Sequence, residues 1–307
     1  MDSRDRIKVF KRAVARHGLY GSTKLIRYFP YWAARLLGHV LIFIGFRFVI
    51  KQKKIARESL NIAFCGKLSE KEIRRIIKDC FENVGWCILE LIYFMEHPWM
   101  IKERVSFTGL EHLTKAFEQG KGVIAVSAHF GNFPLMLLRF AQEHKTNAII
   151  RPARDADLES YFLKKRSELG LNTIYALPRK ECVATSIRVL RNNEMLFIPL
   201  DQNFGSGGGV FVEFFGQQAA TATGPVVFAL RTGAPILPMF IVREQGDRHR
   251  IIIEPPLELE KFEDDQQTLR VNITKITDLI EKYVRRYPHE WGWMHRRWKS
   301  RPNHERE

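Results

Sequence analysis

The stretch Gly122-Val-Ile-Ala-Val-Ser-Ala-His-Phe-Gly-Asn-Phe-Pro134 decides the fold. Residues 122–128 form a short apolar, partly β-branched run, which is the pattern of a strand. The run stops at His129, and Pro134 suits the first turn of a helix beginning near Phe133, where its missing N–H costs nothing. Working outward, similar runs fall at 147–150, 195–200, 236–242 and 250–254. Helical patterns lie between and after them, near 133–144, 156–168, 181–192, 223–232 and 265–286. Upstream, 52–64, 69–97 and 110–118 also read as helices, and Ser69 followed by Glu70 and Glu72 marks a helix start. Alternating strands and helices predict an α/β fold, a layered, largely parallel sheet flanked by helices. No repeat or low-complexity linker divides it, so residues 61–307 read as one domain behind a helical extension at 1–60.

In such a sheet, ligands bind outside the carboxyl ends of the strands. His129, Arg151 and Asp201 each follow an apolar run directly, so topology alone predicts that they meet at one edge. Taken singly, each has a plainer reading: a satisfied loop histidine, a salt-bridged arginine and a turn or N-cap carboxylate.

The chain has 307 residues, 49 Lys+Arg against 34 Asp+Glu, and 45% hydrophobic residues. That length can bury a sizeable core, and the apolar content excludes a disordered polyelectrolyte. A mean hydropathy of −0.22 excludes a polytopic membrane protein. Cys65, Cys80, Cys87 and Cys182 show no CxxC pair, so they read as core thiols of a reducing compartment.

The net charge of +15 is concentrated at the two ends. Residues 1–60 carry 14 Lys/Arg and three acids, and residues 285–307 carry seven and three, which leaves the middle neutral. No zinc finger, RNP-like strand or helix-turn-helix spacing accompanies the charge, so a nucleic-acid partner is not expected. The basic N-terminus instead surrounds the apolar, aromatic stretch 29–50, which favours an anionic membrane surface. Its longest uncharged run, 36–46, would rise about 16 Å as a helix against a hydrocarbon core of about 30 Å, too little for a span. The run also starts late for a signal peptide, and no small-residue cleavage site follows it. Trp32 is expected to enter the interface, with Arg35, Arg47, Lys51, Lys53 and Lys54 meeting lipid phosphates. The alternative is a buried core helix with solvated flanks.

Ser127-Ala-His-Phe-Gly-Asn-Phe-Pro134 resembles the histidine block of the bacterial lysophospholipid acyltransferase superfamily, in its lipid A biosynthesis lauroyl/myristoyl acyltransferase branch. The resemblance continues through Ile150-Arg-Pro152, the glycine-rich block 201–216, and the segments 220–224, 232–238 and 291–299, with a helical lead-in at 54–64. It implies an inner-membrane acyltransferase of the cytoplasmic face. The donor would be an acyl carrier protein thioester or acyl-CoA, and the acceptor an anionic glycolipid such as incomplete lipid A. The family pattern is His-x-x-x-x-Asp/Glu: histidine takes the proton of an acceptor hydroxyl and the carboxylate orients the imidazole. A hydroxyl is a poor nucleophile unless a base takes its proton in the transition state. Here His129 is present, but Pro134 stands where the acid is expected. Either the orienting role passes to Asp201, or the chain is a lipid-binding relative with reduced activity. Another lysolipid or an aminolipid as acceptor also remains open.

The remaining candidates carry less. Gly205, Gly207, Gly208 and Gly209 can form a backbone nest for a phosphate or oxyanion, but glycines equally mark a surface loop. The block has neither a Walker ending nor a dinucleotide fingerprint, so no nucleotide cofactor is expected. Arg151 is placed to pair with a phosphate of acceptor or carrier. Arg296 and Arg297, among Trp291, Trp293 and Trp298, read as a phosphate-binding or interfacial patch, or else as a basic tail whose aromatics pack on the core. No metal is needed by this chemistry and no metal-ligand spacing is present.

Overall fold

The computed structural model describes residue 21 and residues 26–153, 155–205 and 209–302. Within these, helices α1 (Tyr31–Phe48), α2 (Ile50–Ala63), α3 (Glu70–Glu96) and α4 (Trp99–Arg104) precede the sheet. Strand β1 (Val105–Thr108) leads through α5 (Leu110–Glu118) to β2 (Val123–Ser127), α6 (Phe133–Ala141) and β3 (Thr146–Ile150). Then come α7 (Ala156–Glu168), β4 (Leu171–Tyr175), α8 (Arg179–Arg191) and β5 (Met195–Pro199). A hairpin of β6 (Val210–Phe214) and β7 (Gln217–Thr221) precedes α9 (Gly224–Thr232), β8 (Ile236–Arg243), β9 (His249–Ile253) and the long α10 (Asp265–Arg286).

Seven of these strands form one sheet in the order β1-β9-β8-β2-β5-β3-β4. Every pairing in it is parallel except β8 with β9. Side chains alternate between its faces, as the two-residue period of a strand requires. Ile124, Val126, Leu196, Ile198 and Phe240 join one buried cluster with α2, α9 and α10. Val123, Ala125, Phe197, Leu237 and Ile241 join the other, with α6 and the second half of α3. The central strands are therefore covered on both sides, which is why they read as unbroken apolar runs.

Helix α3 starts as expected. The Ser69 hydroxyl accepts from the Glu72 N–H, and the Glu72 carboxylate returns to the Ser69 N–H at 2.8 Å. The expected boundary at residue 60 does not hold, because Leu60 lies inside α2 and is fully buried with Ala56 and Ala63 in the main core. Strands β1, β4, β6 and β7 were not anticipated by the sequence pattern. β1 and β4 are the two edges of the sheet, so neither needs a continuous apolar run.

Helices α1 and α2 meet at a bend of 77°. Among the described residues, no single helix is long and apolar enough to cross a membrane. α1 buries Ala34 and Gly38 and exposes a broad apolar face that includes Trp32 (70% exposed), Phe43 (63%) and Phe48 (79%). Gly38 permits a close approach to α3, since a Cβ there would lie 2.4 Å from the Leu89 side chain. Arg35 does not face outward as expected. It pairs with Asp247 and lies over the Trp86 ring, 4.9 Å from its centroid, so it ties α1 to the folded domain. Lys53 is also partly committed, donating to the Phe46 carbonyl at 2.9 Å near the C-terminus of α1, where a cation offsets the helix dipole. Arg47, Lys51 and Lys54 remain exposed.

Candidate active site

Strands β2 and β5 are parallel neighbours, with Ser127 paired to Pro199 at their carboxyl ends. His129 and Asp201 each lie two residues beyond that pair, and β3, on the other side of β5, ends just before Arg151. The sheet thus brings the three strand-end residues to one edge. His129 Nδ1 lies 2.8 Å from Asp201 Oδ1, while the other carboxylate oxygen, Oδ2, accepts the indole N–H of Trp291 at 2.8 Å. The Asp201 side chain is 1% exposed, whereas that of His129 is 34% exposed, so the imidazole alone reaches solvent.

These bonds set the protonation states. Burial works to raise the Asp201 carboxyl, but the charge and hydrogen bond of His129 and the Trp291 N–H hold it far below the usual carboxylate range. For His129, burial opposes the charged form, yet the Asp201 carboxylate outweighs it and raises the imidazole above its usual value. The ionised Asp201 carboxylate accepts a hydrogen bond from Nδ1–H, which leaves the lone pair on Nε2. The Gln202 side-chain amide donates to that lone pair at 3.2 Å. His129 also packs edge-on against Phe133, with 5.0 Å between ring centroids.

The loop that carries His129 is held from behind. Gly131 has φ +54, and a Cβ there would meet the Ile241 carbonyl at 2.1 Å, so only glycine lets the chain turn against β8. Its N–H donates to the Glu290 carbonyl at 2.7 Å. The next residue, Asn132, caps α6 by accepting from the Leu135 N–H at 3.2 Å, and its amide donates to Glu90 at 2.9 Å. Pro134 occupies the first turn of α6, so the position of the expected acid is taken by a helix-starting residue. Glu90, fully buried on α3, receives both terminal nitrogens of Arg243, at 2.5 and 2.9 Å, and lies 3.3 Å from His249. Burial acts to raise the Glu90 carboxyl, but His249 and Arg243 bring it down to about 2. Arg243 also donates to Asn83, whose amide bonds Glu290 at 2.8 Å. A polar network thus runs from α3 through β8 to the segment behind His129.

The other sequence candidates separate. Arg151 is exposed at the site edge, and no ion pair or hydrogen bond engages its side chain among the described residues. Arg296 is exposed, 4.0 Å from Glu58. Arg297 is not a surface residue, which corrects the expected phosphate-binding patch. It is fully buried, donates to the Ala220 carbonyl at 2.7 Å and the Thr221 hydroxyl at 2.5 Å, and burial brings it down to about 10. Trp291, Trp293 and Trp298 are core residues for the same reason. Gly205 has open space around it, and Gly209 packs against the Thr221 carbonyl. Gly207 and Gly208 lie outside the described residues. Cys80 and Cys182 are buried, as expected of core thiols, whereas Cys65 is exposed. No His/Cys/Asp/Glu cluster suited to a metal ion occurs among the described residues.

Sequence reasoning missed Gln202, the Glu90–Arg243–His249 network and the role of Trp291. Glu90 carried a signal, being the lone acid in the run Trp86-Cys-Ile-Leu-Glu-Leu-Ile-Tyr-Phe-Met95. A charge in the apolar stripe of a helix demands a buried partner.

The sequence pattern of the family described as bacterial lipid A biosynthesis acyltransferase matches residues 11–300. The chain belongs to that family. It is 29% identical over 284 residues to the lipid A biosynthesis lauroyltransferase of Escherichia coli K12, covering 91% of this chain and 89% of the relative. It is 27% identical to the lipid A biosynthesis palmitoleoyltransferase of the same strain, covering 86% of each. A phosphatidylinositol mannoside acyltransferase of Mycobacterium tuberculosis matches 42% of each chain at 29% identity. Among solved structures, the 1-acyl-sn-glycerophosphate acyltransferase PlsC of Thermotoga maritima covers 85% of this chain and 97% of its own, at 14% identity and a TM-score of 0.38. This family member is an acyltransferase.

Removing Glu90 leaves the half-buried Arg243 and the buried His249 and Asn132 without their carboxylate, so Glu90→Ala should lose about 3–5 kcal/mol of unfolding free energy in urea at pH 7. Because folding depresses the Glu90 carboxyl from 4.5 to about 2, its contribution is complete above pH 4.5 and fades as the pH falls toward 2. The stability gap between wild type and Glu90→Gln should close over that interval. A gap that stayed constant would show that Glu90 is not held ionised.

Proposed function

We propose that this acyltransferase moves a fatty acyl chain from a thioester, carried by acyl carrier protein or coenzyme A, to a hydroxyl of a lipid A precursor. His129 is the general base and Asp201 its orienting partner. The observation that supports this reading is the chain Trp291–Asp201–His129, which ends in a solvent-reaching imidazole whose Nε2 accepts only from the Gln202 side chain, at the ligand-binding edge of the sheet. Nε2 takes the hydroxyl proton as the oxygen attacks the thioester carbonyl, and the buried carboxylate stabilises the imidazolium that forms. The tetrahedral intermediate then collapses by breaking the carbon–sulfur bond. The thiolate leaves and recovers a proton from His129, so base and substrates return to balance. Arg151, exposed and uncommitted at the same edge, supplies a cation for a phosphate of acceptor or carrier. Arg296 and the backbone at Gly205 and Gly209 are further candidates for phosphate and oxyanion contact.

The exposed apolar face of α1 supports peripheral attachment to the cytoplasmic face of the inner membrane. Trp32 and the phenylalanines would enter the interface, with Arg47, Lys51 and Lys54 at the headgroups. An amphipathic acceptor held in the bilayer then needs only its headgroup to reach His129. The partial likeness to phosphatidylinositol mannoside acyltransferases supports a second reading with the same chemistry and a different glycolipid acceptor. Lipid mass spectrometry of a deletion strain separates the two. Loss of one acyl chain from lipid A is the expected result, and unchanged lipid A with an altered second glycolipid would favour the other acceptor.

In purified protein, His129→Ala should lower turnover by about 10²–10⁴-fold without altering vesicle binding. The acidic limb of kcat/KM reports protonation of the free enzyme's base, so it should lie above the usual imidazole value of 6.5. Near-normal turnover in the folded variant would remove the base assignment.

Lys51→Glu combined with Lys54→Glu should weaken sedimentation with anionic vesicles. The loss should shrink at high salt, where screening acts over less than about 8–10 Å. Equal sedimentation of variant and wild type at low salt would contradict an electrostatic anchor.

A further inference from the structure

Asp201 is enclosed, and its two oxygens are divided between two side chains. Oδ1 faces His129 and Oδ2 accepts from Trp291, both at 2.8 Å. Trp291 reaches this carboxylate from the C-terminal segment, 90 residues away in sequence. Its backbone meets the other half of the pair, because Phe130, next to His129, forms an antiparallel bridge with Trp291. The adjacent Glu290 carbonyl receives the Gly131 N–H, and the Cys80 thiol donates to the Trp291 carbonyl at 3.1 Å. One fully buried residue therefore touches both the loop of the base and the carboxylate that orients it.

We infer that Trp291 is a positioning residue for acyl transfer: its indole N–H fixes Oδ2, so that Oδ1 stays on His129 and the carboxylate's charge is shared between the two residues. The inference rests on the reading of His129 as the base. The indole suits the task because it is a donor only and cannot take up a proton at any working pH. It never competes with the imidazole for the proton that Asp201 attracts. Its ring is locked among Phe214, Trp293 and Trp298, with centroids 5.6, 4.7 and 6.5 Å away, so the N–H points in one direction. The other charged or titratable groups acting on the pair, among the described residues, are His295 and Arg297 of the same segment. Neither takes the place of the indole. His295 Nε2 accepts the Asn203 N–H at 3.3 Å, and the Arg297 nitrogens with partners are spent on carbonyls and the Thr221 hydroxyl.

Without the indole N–H, a buried acceptor loses its partner and the carboxylate is free to pivot about its own axis. Its charge then falls on His129 alone, on the ring Nδ1–H and the backbone N–H of that residue. The imidazolium is held more tightly and releases its proton at higher pH.

The test replaces Trp291 in the full chain with 3-benzothienylalanine, which keeps the fused rings but has sulfur in place of N–H. Trp291→Phe is the genetic counterpart. Two readouts are taken from each folded variant: an NMR titration of the His129 imidazole in the resting protein, and kcat and KM with thioester and acceptor. The expected result is an upward move of the His129 titration together with a fall in kcat of about tenfold at unchanged KM. A purely structural Trp291 would tolerate the isostere, so an unmoved or lowered titration, or wild-type kcat, would overturn the inference. Failure of the base assignment is seen separately, as retained turnover in His129→Ala, while the titration of His129 reports on Trp291 whatever the turnover.

Discussion

An ionised carboxylate buried away from solvent must be surrounded by donors, and Asp201 meets that requirement with His129 on one oxygen and Trp291 on the other. Much of the fold serves this arrangement. Parallel pairing of β2 and β5 brings the His129 imidazole and the Asp201 carboxylate within one hydrogen bond of each other, and the C-terminal segment returns across the domain to close the carboxylate off. The imidazole is left as the one member of the chain in contact with solvent.

The second buried carboxylate, Glu90, does comparable work one layer further back. Arg243 satisfies both its oxygens, and Asn132 links it to the loop of His129. Helix α3, which packs against α1 at Gly38, therefore also carries the polar anchor of the loop that holds His129. Buried ion pairs of this kind add little net stability against an apolar replacement, but breaking one is costly. Their use here is geometric: Asn132 and Gly131 are held from two sides, so His129 is not free to follow solvent.

The central sheet was legible because its strands are buried on both faces, which writes them as apolar runs. The edge strands β1 and β4 were not, since an edge has no second neighbour and tolerates Ser106, Asn172 and Thr173. The pairing of His129 with Asp201 could be anticipated from topology, because it depends only on where two parallel strands end. Arg297 was misjudged for the opposite reason: a cation among tryptophans looks the same in sequence whether the group lies on a membrane or inside a core. Its carbonyl partners at 202 and 220 come from a distant loop and strand that spacing cannot reveal. Arg35 was misjudged in the same way, its partner Asp247 lying two hundred residues further on. The family resemblance supplied the reaction class, and the structure sets the Asp201 carboxylate against the His129 imidazole in a motif whose acid position holds Pro134.

The most direct measurement of the central claim compares Asp201→Asn with Pro134→Ala under conditions where the chemical step limits the rate. If Asp201 orients His129, Asp201→Asn should remain folded and lose about 10²–10⁴-fold in turnover, because an amide cannot hold the imidazole in the right tautomer or stabilise its cation. Pro134→Ala should keep most of the wild-type rate. Undiminished turnover in Asp201→Asn would contradict the account.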